Sequence, residues 1–240
     1  MQHKKIALII GASSDIGIAL CDYYLKNNYK LYVHSNMGGS LFSEKILSNK
    51  NVSSFSVNFN DADAIAYHIE NKKNIFESID IVVNLAASLT PKVFLEICEK
   101  DIIDAIRINF IPAFLFIKAV IPGMIRRNWG RIVNASSIGV KYNGGTTSYC
   151  YSLTKHMLEF IPGLYRQWAE HNILYNVVRV GVTNTKFHLQ DPYKDMIDRI
   201  NRIPMKRMAK PDEIAKFIYG LGSHENSYIT GECMSISGGE

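Results

Sequence analysis

Ile6-Ala7-Leu8-Ile9-Ile10-Gly11-Ala12-Ser13-Ser14-Asp15-Ile16-Gly17 is the stretch on which the fold turns. Five apolar residues run straight into a glycine, as expected of a strand buried on both faces of a parallel sheet. Gly11 lets the chain turn sharply. Small residues at 12 to 14 let backbone amides come close to a pyrophosphate, and Gly17 lets the following helix pack tightly on its strand. The free N–H groups and the positive dipole end of that helix then favour phosphate. Gly11, Ser13, Ser14, Asp15, Ile16 and Gly17 are therefore expected to hold a dinucleotide. A glycine-rich turn alone is a weak signal; its place between a strand and a helix gives it weight.

The same alternation continues outward from this stretch. Strand-like runs fall at 5–10, 30–34, 53–59, 79–84, 131–135, 174–180 and 233–237, and helix-length segments at 16–27, 62–77, 99–127, 150–170 and 211–221. Seven strands alternating with helices predict an α/β Rossmann fold: one domain over 1–240, a doubly wound parallel sheet with helices on both faces. Residues 184–210 break the rhythm with Pro192, Pro204 and many polar side chains. An insertion there is placed to cover a ligand, although an ordinary surface loop reads the same way.

Composition excludes several other classes. The chain has 240 residues, 47% hydrophobic and 20% charged, as in ordinary globular proteins. No wholly apolar run reaches the roughly 18 residues of a membrane span, so no membrane partner is expected. The basic start has too short an apolar stretch for a signal peptide, and a cytoplasmic location is the default expectation. Cys21, Cys98, Cys150 and Cys233 are widely spaced and form no metal-binding or disulfide pattern. They are expected to be mostly reduced core residues. The net charge of +5 comes in short clusters such as Arg126-Arg127 and Lys206-Arg207. That does not form a nucleic-acid-binding stripe; an anionic cofactor, or simply a solvated surface, accounts for it.

The chemistry-bearing residues lie further along. Tyr151-Ser152-Leu153-Thr154-Lys155 places a tyrosine and a lysine on one helix face, and Ser136-Ser137 ends a strand. Alone, each is commonplace. Moving a proton at a carbonyl oxygen near neutral pH would require a tyrosine pKa about 3 units below its usual ~10, or about 4 kcal/mol. A lysine cation one turn away favours phenolate and supplies part of that shift.

Together, in this order, these pieces resemble the short-chain dehydrogenase/reductase family, whose turn reads TGxxxGIG. Here Ile10 replaces the threonine and Asp15 the middle glycine, which puts a negative charge near the phosphates unless Asp15 serves only the helix end. Asn84-Leu85-Ala86-Ala87 stands where the family has NNAG, and Val180-Gly181-Val182-Thr183-Asn184-Thr185 resembles its PG-containing stretch, with Val180 for proline. Arg207-Met208-Ala209-Lys210-Pro211-Asp212-Glu213-Ile214, Tyr228-Ile229-Thr230-Gly231 and Gly238-Gly239 continue the likeness over nearly the whole chain, most closely to bacterial β-ketoacyl-carrier-protein reductases and their relatives.

The resemblance implies an oxidoreductase that interconverts a carbonyl and a secondary alcohol by hydride transfer. Tyr151 would be the general acid/base, Lys155 its partner and the holder of the nicotinamide ribose. Ser137 would be the second donor to the substrate oxygen, with Ser136 as runner-up. Ser137 lies fourteen residues before Tyr151, one more than the commonest family spacing, which places one extra residue in the 140–148 loop. Asn109 would kink its helix and hold a water in a proton relay; a helix-packing asparagine is the alternative. Asn58 and Phe59 would meet the adenine, and Asn84, Ala86, Val182, Thr183 and Thr185 would line the rest of the cofactor. His34, Ser35 and Asn36 end the second strand without a carboxylate, which favours NADP, with NAD possible.

No metal is implied. Phe187, His188, Leu189, Tyr193, Met196 and Ile197 would line the covering loop. The substrate would be a small-molecule or carrier-linked carbonyl compound, with Arg126, Arg127 and His171 as a candidate surface for an acidic carrier. Tyr149 faces away from Tyr151 as a structural or substrate-adjacent residue. Similar proteins form tetramers or dimers through helices matching 99–127 and 150–170, so a homotetramer or homodimer is expected. The alternatives are an acyl-carrier-protein reductase specifically, or a non-catalytic dinucleotide-binding scaffold.

Overall fold

The computed structural model describes residues 4–35, 44–160, 163, 165–191 and 195–240. Strand β1 (Ile6–Ile10) enters the glycine turn and helix α1 (Asp15–Lys26) leaves it. Then follow β2 (Lys30–Ser35), α2 (Glu44–Leu47), β3 (Val52–Ser56), α3 (Ala62–Asn71), α4 (Lys73–Ser78) and β4 (Ile81–Asn84). The second half holds α5 (Glu99–Asn109), α6 (Ile111–Arg127), β5 (Gly130–Ser137), α7 (Tyr149–Phe160), α8 (Tyr165–Trp168) and β6 (Ile173–Val180). It ends with α9 (Met196–Arg202), α10 (Pro211–Leu221) and β7 (Cys233–Ile236).

All seven strands pair in parallel, in the order β3-β2-β1-β4-β5-β6-β7. Residue alternation splits the core into two layers. Leu8 and Ile10 point to a layer with Tyr32, Phe76, Phe116 and Leu158; Ala7 and Ile9 point to the other, with Leu20, Tyr24, Ile214 and Ile218. Burying a strand on both faces explains why its run is apolar without alternation. The chain order reverses between β1 and β4, which is where an open α/β sheet binds its ligand.

Four segments differ from the sequence expectation. The strand expected over 53–59 stops at Ser56, because Asn58 starts a turn: its carbonyl and side chain accept from Asp61 and Asn60, and Asp61 then caps α3. The 62–77 segment breaks at Lys72 into α3 and α4, and the 99–127 segment breaks at Phe110. Pro112 has no amide to continue the ladder through that second break. Segment 150–170 contains α7, α8 and a short 3-10 turn where one long helix is expected.

Taken as one stretch, Glu99–Arg127 is long and apolar enough to cross a membrane, and half of its most apolar window is buried within the domain. Phe116, Ile117, Val120 and Met124 pack on the sheet, and an added Cβ on Gly123 would lie 1.9 Å from the Glu77 carbonyl of α4. The apolar character thus serves the core. The stretch 110–117 divides: Ala113, Phe116 and Ile117 are buried while Phe114 is exposed. Of the four cysteines, all free, only Cys21 is fully buried, and Cys98 is exposed, contrary to the core expectation.

Candidate active site

At the carboxyl ends of β1, β4, β5 and β6 stand the glycine turn, Asn84, Ser137 and the segment that begins at Val182. At the first, Gly11 adopts φ +75°, and a Cβ there would lie 3.0 Å from the Ala86 amide. Ser14 is the N-cap of α1, accepting from the Gly17 amide at 3.0 Å and donating to the Gly11 carbonyl at 2.8 Å. Gly17 is sterically required, since a Cβ would sit 2.6 Å from the Ala12 carbonyl oxygen. The amides of Asp15 and Ile16 have no acceptor among the described residues, as a phosphate-binding helix start needs. Asp15 does not cap the helix; its carboxylate accepts from the Lys186 amide at 2.9 Å.

The end of β2 is less polar than its sequence suggests. His34 is 2% exposed, stacks on Phe59 at 4.0 Å and bonds the Val57 carbonyl through Nε2 at 3.1 Å. Its Nδ1 is buried without a partner among the described residues. Burial lowers its pKa to about 4, so it is neutral, with its N–H directed at Val57 and not at a ligand. Ser35 is buried, and Asn36 lies outside the described residues. Asn58 is exposed, while the Phe59 ring belongs to the core and leaves only its main chain for an adenine.

At the end of β4, Asn84 is fully buried, and its Oδ1 accepts from the Ala86 amide at 3.1 Å. Leu85, at the second asparagine of the family motif, is buried in the layer that holds Leu20 and Ile214; Ala87 is exposed. At the end of β6, Val182 and Thr183 are buried, with Thr183 Oγ1 donating to the Gly181 carbonyl at 2.9 Å. Thr185 Oγ1 donates to the Thr183 carbonyl at 3.4 Å and starts the covering segment.

Tyr151 and Lys155 lie one turn apart on α7, which packs against β5. Lys155 is 2% exposed, and its Nζ donates to the carbonyls of Ala86 and Ala135, both at 2.9 Å. It lies 5.8 Å from the centre of the Tyr151 ring. Burial lowers the Lys155 pKa to about 7. Burial also raises the Tyr151 pKa to about 12, with the Ser137 side chain pulling the other way. The expected lysine-driven fall in the tyrosine pKa is therefore absent here; desolvation outweighs it for both groups.

The two serines point to different places. Ser137 Oγ accepts from the Gly139 amide at 3.2 Å and interacts with Tyr151. Ser136 Oγ is buried and donates its one proton to Glu159 Oε1 at 2.7 Å, with the Lys155 carbonyl 3.2 Å away. In the intervening loop, Asn143 and Gly144 both adopt positive φ, where the extra residue expected between Ser137 and Tyr151 would fall.

Asn109 is 1% exposed and ends α5 at the helix break. Its Oδ1 accepts from the Ser88 amide at 2.7 Å, and its Nδ2 donates to the Ser88 carbonyl and the Thr154 hydroxyl. Its side chain thus ties the β4 loop to α7. Thr154, beside Lys155, was not picked out by sequence reasoning, although its place in the tyrosine–lysine motif was visible.

The covering segment folds more than its sequence suggests. It contains a 3-10 turn (Lys186–Gln190) and α9, and returns beside the residues that follow β6 through a Thr183–Ala209 bridge. Phe187 stands 5.4 Å from Tyr151, centre to centre. Met196 is half-buried, whereas Ile197 is 76% exposed and faces away. Tyr193 and the side chain of Leu189 lie outside the described residues. Beside Tyr151, a cavity of about 110 Å³ is lined by Ser88, Thr90, Lys92, Asp101, Thr147 and Cys150 among others, with Lys92 and Asp101 paired at 2.8 Å. Tyr149 packs edge-on against Phe94 at 5.2 Å.

The proposed carrier surface is already engaged. Arg126 pairs with Glu77 at 2.6 Å and Arg127 with Asp80 at 2.9 Å, and His171 bonds Asn128. These arginines bind their own domain, which favours the structural reading of that cluster.

Comparison with known proteins agrees with this arrangement. A family model described as short chain dehydrogenase matches residues 5–194. The 3-oxoacyl-acyl-carrier-protein reductases FabG of Thermotoga maritima and Aquifex aeolicus are 30% and 29% identical, covering 98% of this chain and 97% and 96% of the relatives. A solved structure of ElxO with NADP bound is 26% identical, covers 99% of this chain and 98% of that one, and superposes with a TM-score of 0.85. With a family match over most of its length and a single seven-stranded parallel sheet, the chain belongs to the short-chain dehydrogenase/reductase family and is an NAD(P)-dependent oxidoreductase.

Proposed function

We propose that the protein is an NADP(H)-dependent oxidoreductase that interconverts a carbonyl and a secondary alcohol, with Tyr151, Ser137, Lys155 and Asn109 as its working residues. The observation that carries this reading is the meeting of Ser137 and Tyr151 at the cleft, above the buried amine of Lys155. When bound, the nicotinamide supplies or accepts the hydride. In reduction, Tyr151 donates its hydroxyl proton to the substrate oxygen, and Ser137 donates a hydrogen bond to the same oxygen and polarises the carbonyl. Burial keeps the Tyr151 hydroxyl protonated at neutral pH. In its protonated form Lys155 Nζ, holding two carbonyls, has one N–H left for a ribose hydroxyl. Asn109 holds the β4 loop against α7; its relay role rests on the family resemblance.

The turn fits a dinucleotide through the Asp15 and Ile16 amides, the close approach allowed by Gly11 and Gly17, and Thr185 across the cleft. NADP is supported by the absence of a carboxylate at the end of β2. Among the described residues Ser35 is the donor left there, since His34 is directed at Val57. The test is NADPH oxidation with a panel of carbonyl compounds, alongside the Tyr151→Phe variant. Turnover that survives this substitution refutes the assigned mechanism.

A carrier-linked substrate is the second reading, favoured by the FabG relatives, and acetoacetyl-CoA in the same panel tests it. A non-catalytic scaffold would bind NADPH and turn over nothing. The exposed apolar residues Ile103, Phe114, Leu153 and Phe160 on α5, α6 and α7 support a homotetramer or homodimer through these helices; light scattering on the purified protein gives the mass. A cytoplasmic location goes with this reading and is tested by cell fractionation.

A further inference from the structure

We propose that Glu159 is a positioning residue for Tyr151 and Lys155, setting the rotation of α7 over the sheet through a clamp made by Ser136 and Arg179. The proposal rests on the roles given above to Tyr151 and Lys155.

Tyr151, Lys155 and Glu159 are spaced four apart and share one stripe of α7. The sheet meets this stripe with a pair of residues. Ser136 on β5 and Arg179 on β6 are register partners, so their side chains emerge side by side under the helix. Arg179 binds Glu159 through two parallel bonds, Nε to Oε1 at 2.9 Å and Nη2 to Oε2 at 2.7 Å. Ser136 Oγ donates to the same Oε1 at 2.7 Å. A two-pronged arginine–carboxylate pair fixes orientation as well as distance, and the Glu159 side chain is only 10% exposed. Burial raises the Glu159 pKa, but the bonds from Arg179 and Ser136 bring it below the ordinary value, so the pair is ionised at neutral pH.

The clamp is continuous with the site. Three successive residues of β5 hold three levels of α7. The Ala135 carbonyl takes the Lys155 amine, Ser136 bonds Glu159 beside the Lys155 carbonyl, and Ser137 meets Tyr151. Releasing Glu159 frees the helix to turn about its axis, and the Tyr151 hydroxyl moves relative to Ser137. Misplacement by about 1 Å costs roughly a hundredfold in rate; a clamp one turn removed from Lys155 should produce part of this.

The experiment compares Glu159→Ala, Glu159→Gln and Ser136→Ala in the full chain. One readout needs no substrate: the ¹³Cζ resonance of Tyr151 in tyrosine-labelled protein, assigned with Tyr151→Phe and followed against pH. The other is kcat and the NADPH KM with any carbonyl compound that the wild type reduces. In Glu159→Ala the Tyr151 resonance and its titration should move, and kcat should fall about tenfold or more while the NADPH KM stays within about twofold. Glu159→Gln keeps the bond from Ser136 and should recover most of both. Ser136→Ala should shift both in the same direction by less, and it stands in if Glu159→Ala fails to fold. A Tyr151 resonance and titration identical to wild type in folded Glu159→Ala or Ser136→Ala overturns the proposal. So does a kcat that falls only with the folded fraction. A wild type that reduces no carbonyl refutes the functional reading, while the resonance still judges Glu159.

Discussion

The Asp15 carboxylate accepts a hydrogen bond from the main-chain amide of Lys186 at 2.9 Å, tying the glycine turn to the covering segment. A residue that departs from the family turn thereby gains a structural partner on the far side of the cleft. Its charge still lies in the first turn of α1, where phosphates are expected.

Asp15→Asn keeps an acceptor for Lys186 and removes the charge. Relief of one charge repulsion at a partly exposed site is worth about 1 kcal/mol, or roughly fivefold. NADPH should therefore bind about fivefold tighter in a fluorescence titration. Asp15→Gly also cuts the tie, and amide exchange at Lys186 should quicken. Unchanged NADPH affinity in Asp15→Asn would mean that the phosphates do not sense this carboxylate.

Tyr151→Phe should lower turnover by a hundredfold or more without unfolding the protein, given the usual size of acid–base contributions. Ser137→Ala should cost more turnover than Ser136→Ala, because only Ser137 meets Tyr151. The reverse ranking would show that the substrate oxygen sits over Ser136.

Lys155 carries a pH signature of its own. In the unfolded chain it keeps its proton up to about 10.5, whereas burial brings the folded value to about 7. Between these values the unfolded state binds more protons, so stability contributed here rises with pH. Lys155→Met removes this rise. The melting temperature of Lys155→Met minus that of wild type should therefore decrease steadily from pH 7 to 10. The offset at any single pH also contains the two carbonyls left unpaired; the slope does not. A flat difference would show that Lys155 stays charged when buried.

His34 should make the fold acid-sensitive. Its folded pKa of about 4 lies below the ordinary 6.5, so stability is full above 6.5 and falls as pH drops through 4. The loss is at most about 3 kcal/mol. His34→Gln should flatten this limb of a urea-denaturation series relative to wild type. An unchanged limb would assign the acid sensitivity to other groups.

Much of the fold could be read from local pattern, because a doubly wound sheet repeats one signal: an apolar run followed by a helix-length segment. The seven strands and the glycine turn follow from that. The helix break at Lys72 is not legible, since local periodicity continues across it, whereas the break at Phe110 is marked by Pro112.

For the site, the chain by itself determined which residue types are available and on which element each stands. Tyr151 and Lys155 share a helix face because four residues make about one turn, and that holds in any fold. The tertiary structure decided where their bonding groups point. It turned Ser136 to Glu159 and left Ser137 beside Tyr151, although the two serines are adjacent and chemically identical. It also buried His34 against Phe59, removing a donor that looked available, and swung Asp15 across to Lys186. Partners 14 to 171 positions away in the chain meet only when the sheet and its helices are assembled. Burial, which reverses the expected shift at Tyr151, likewise exists only once both faces of the sheet are covered.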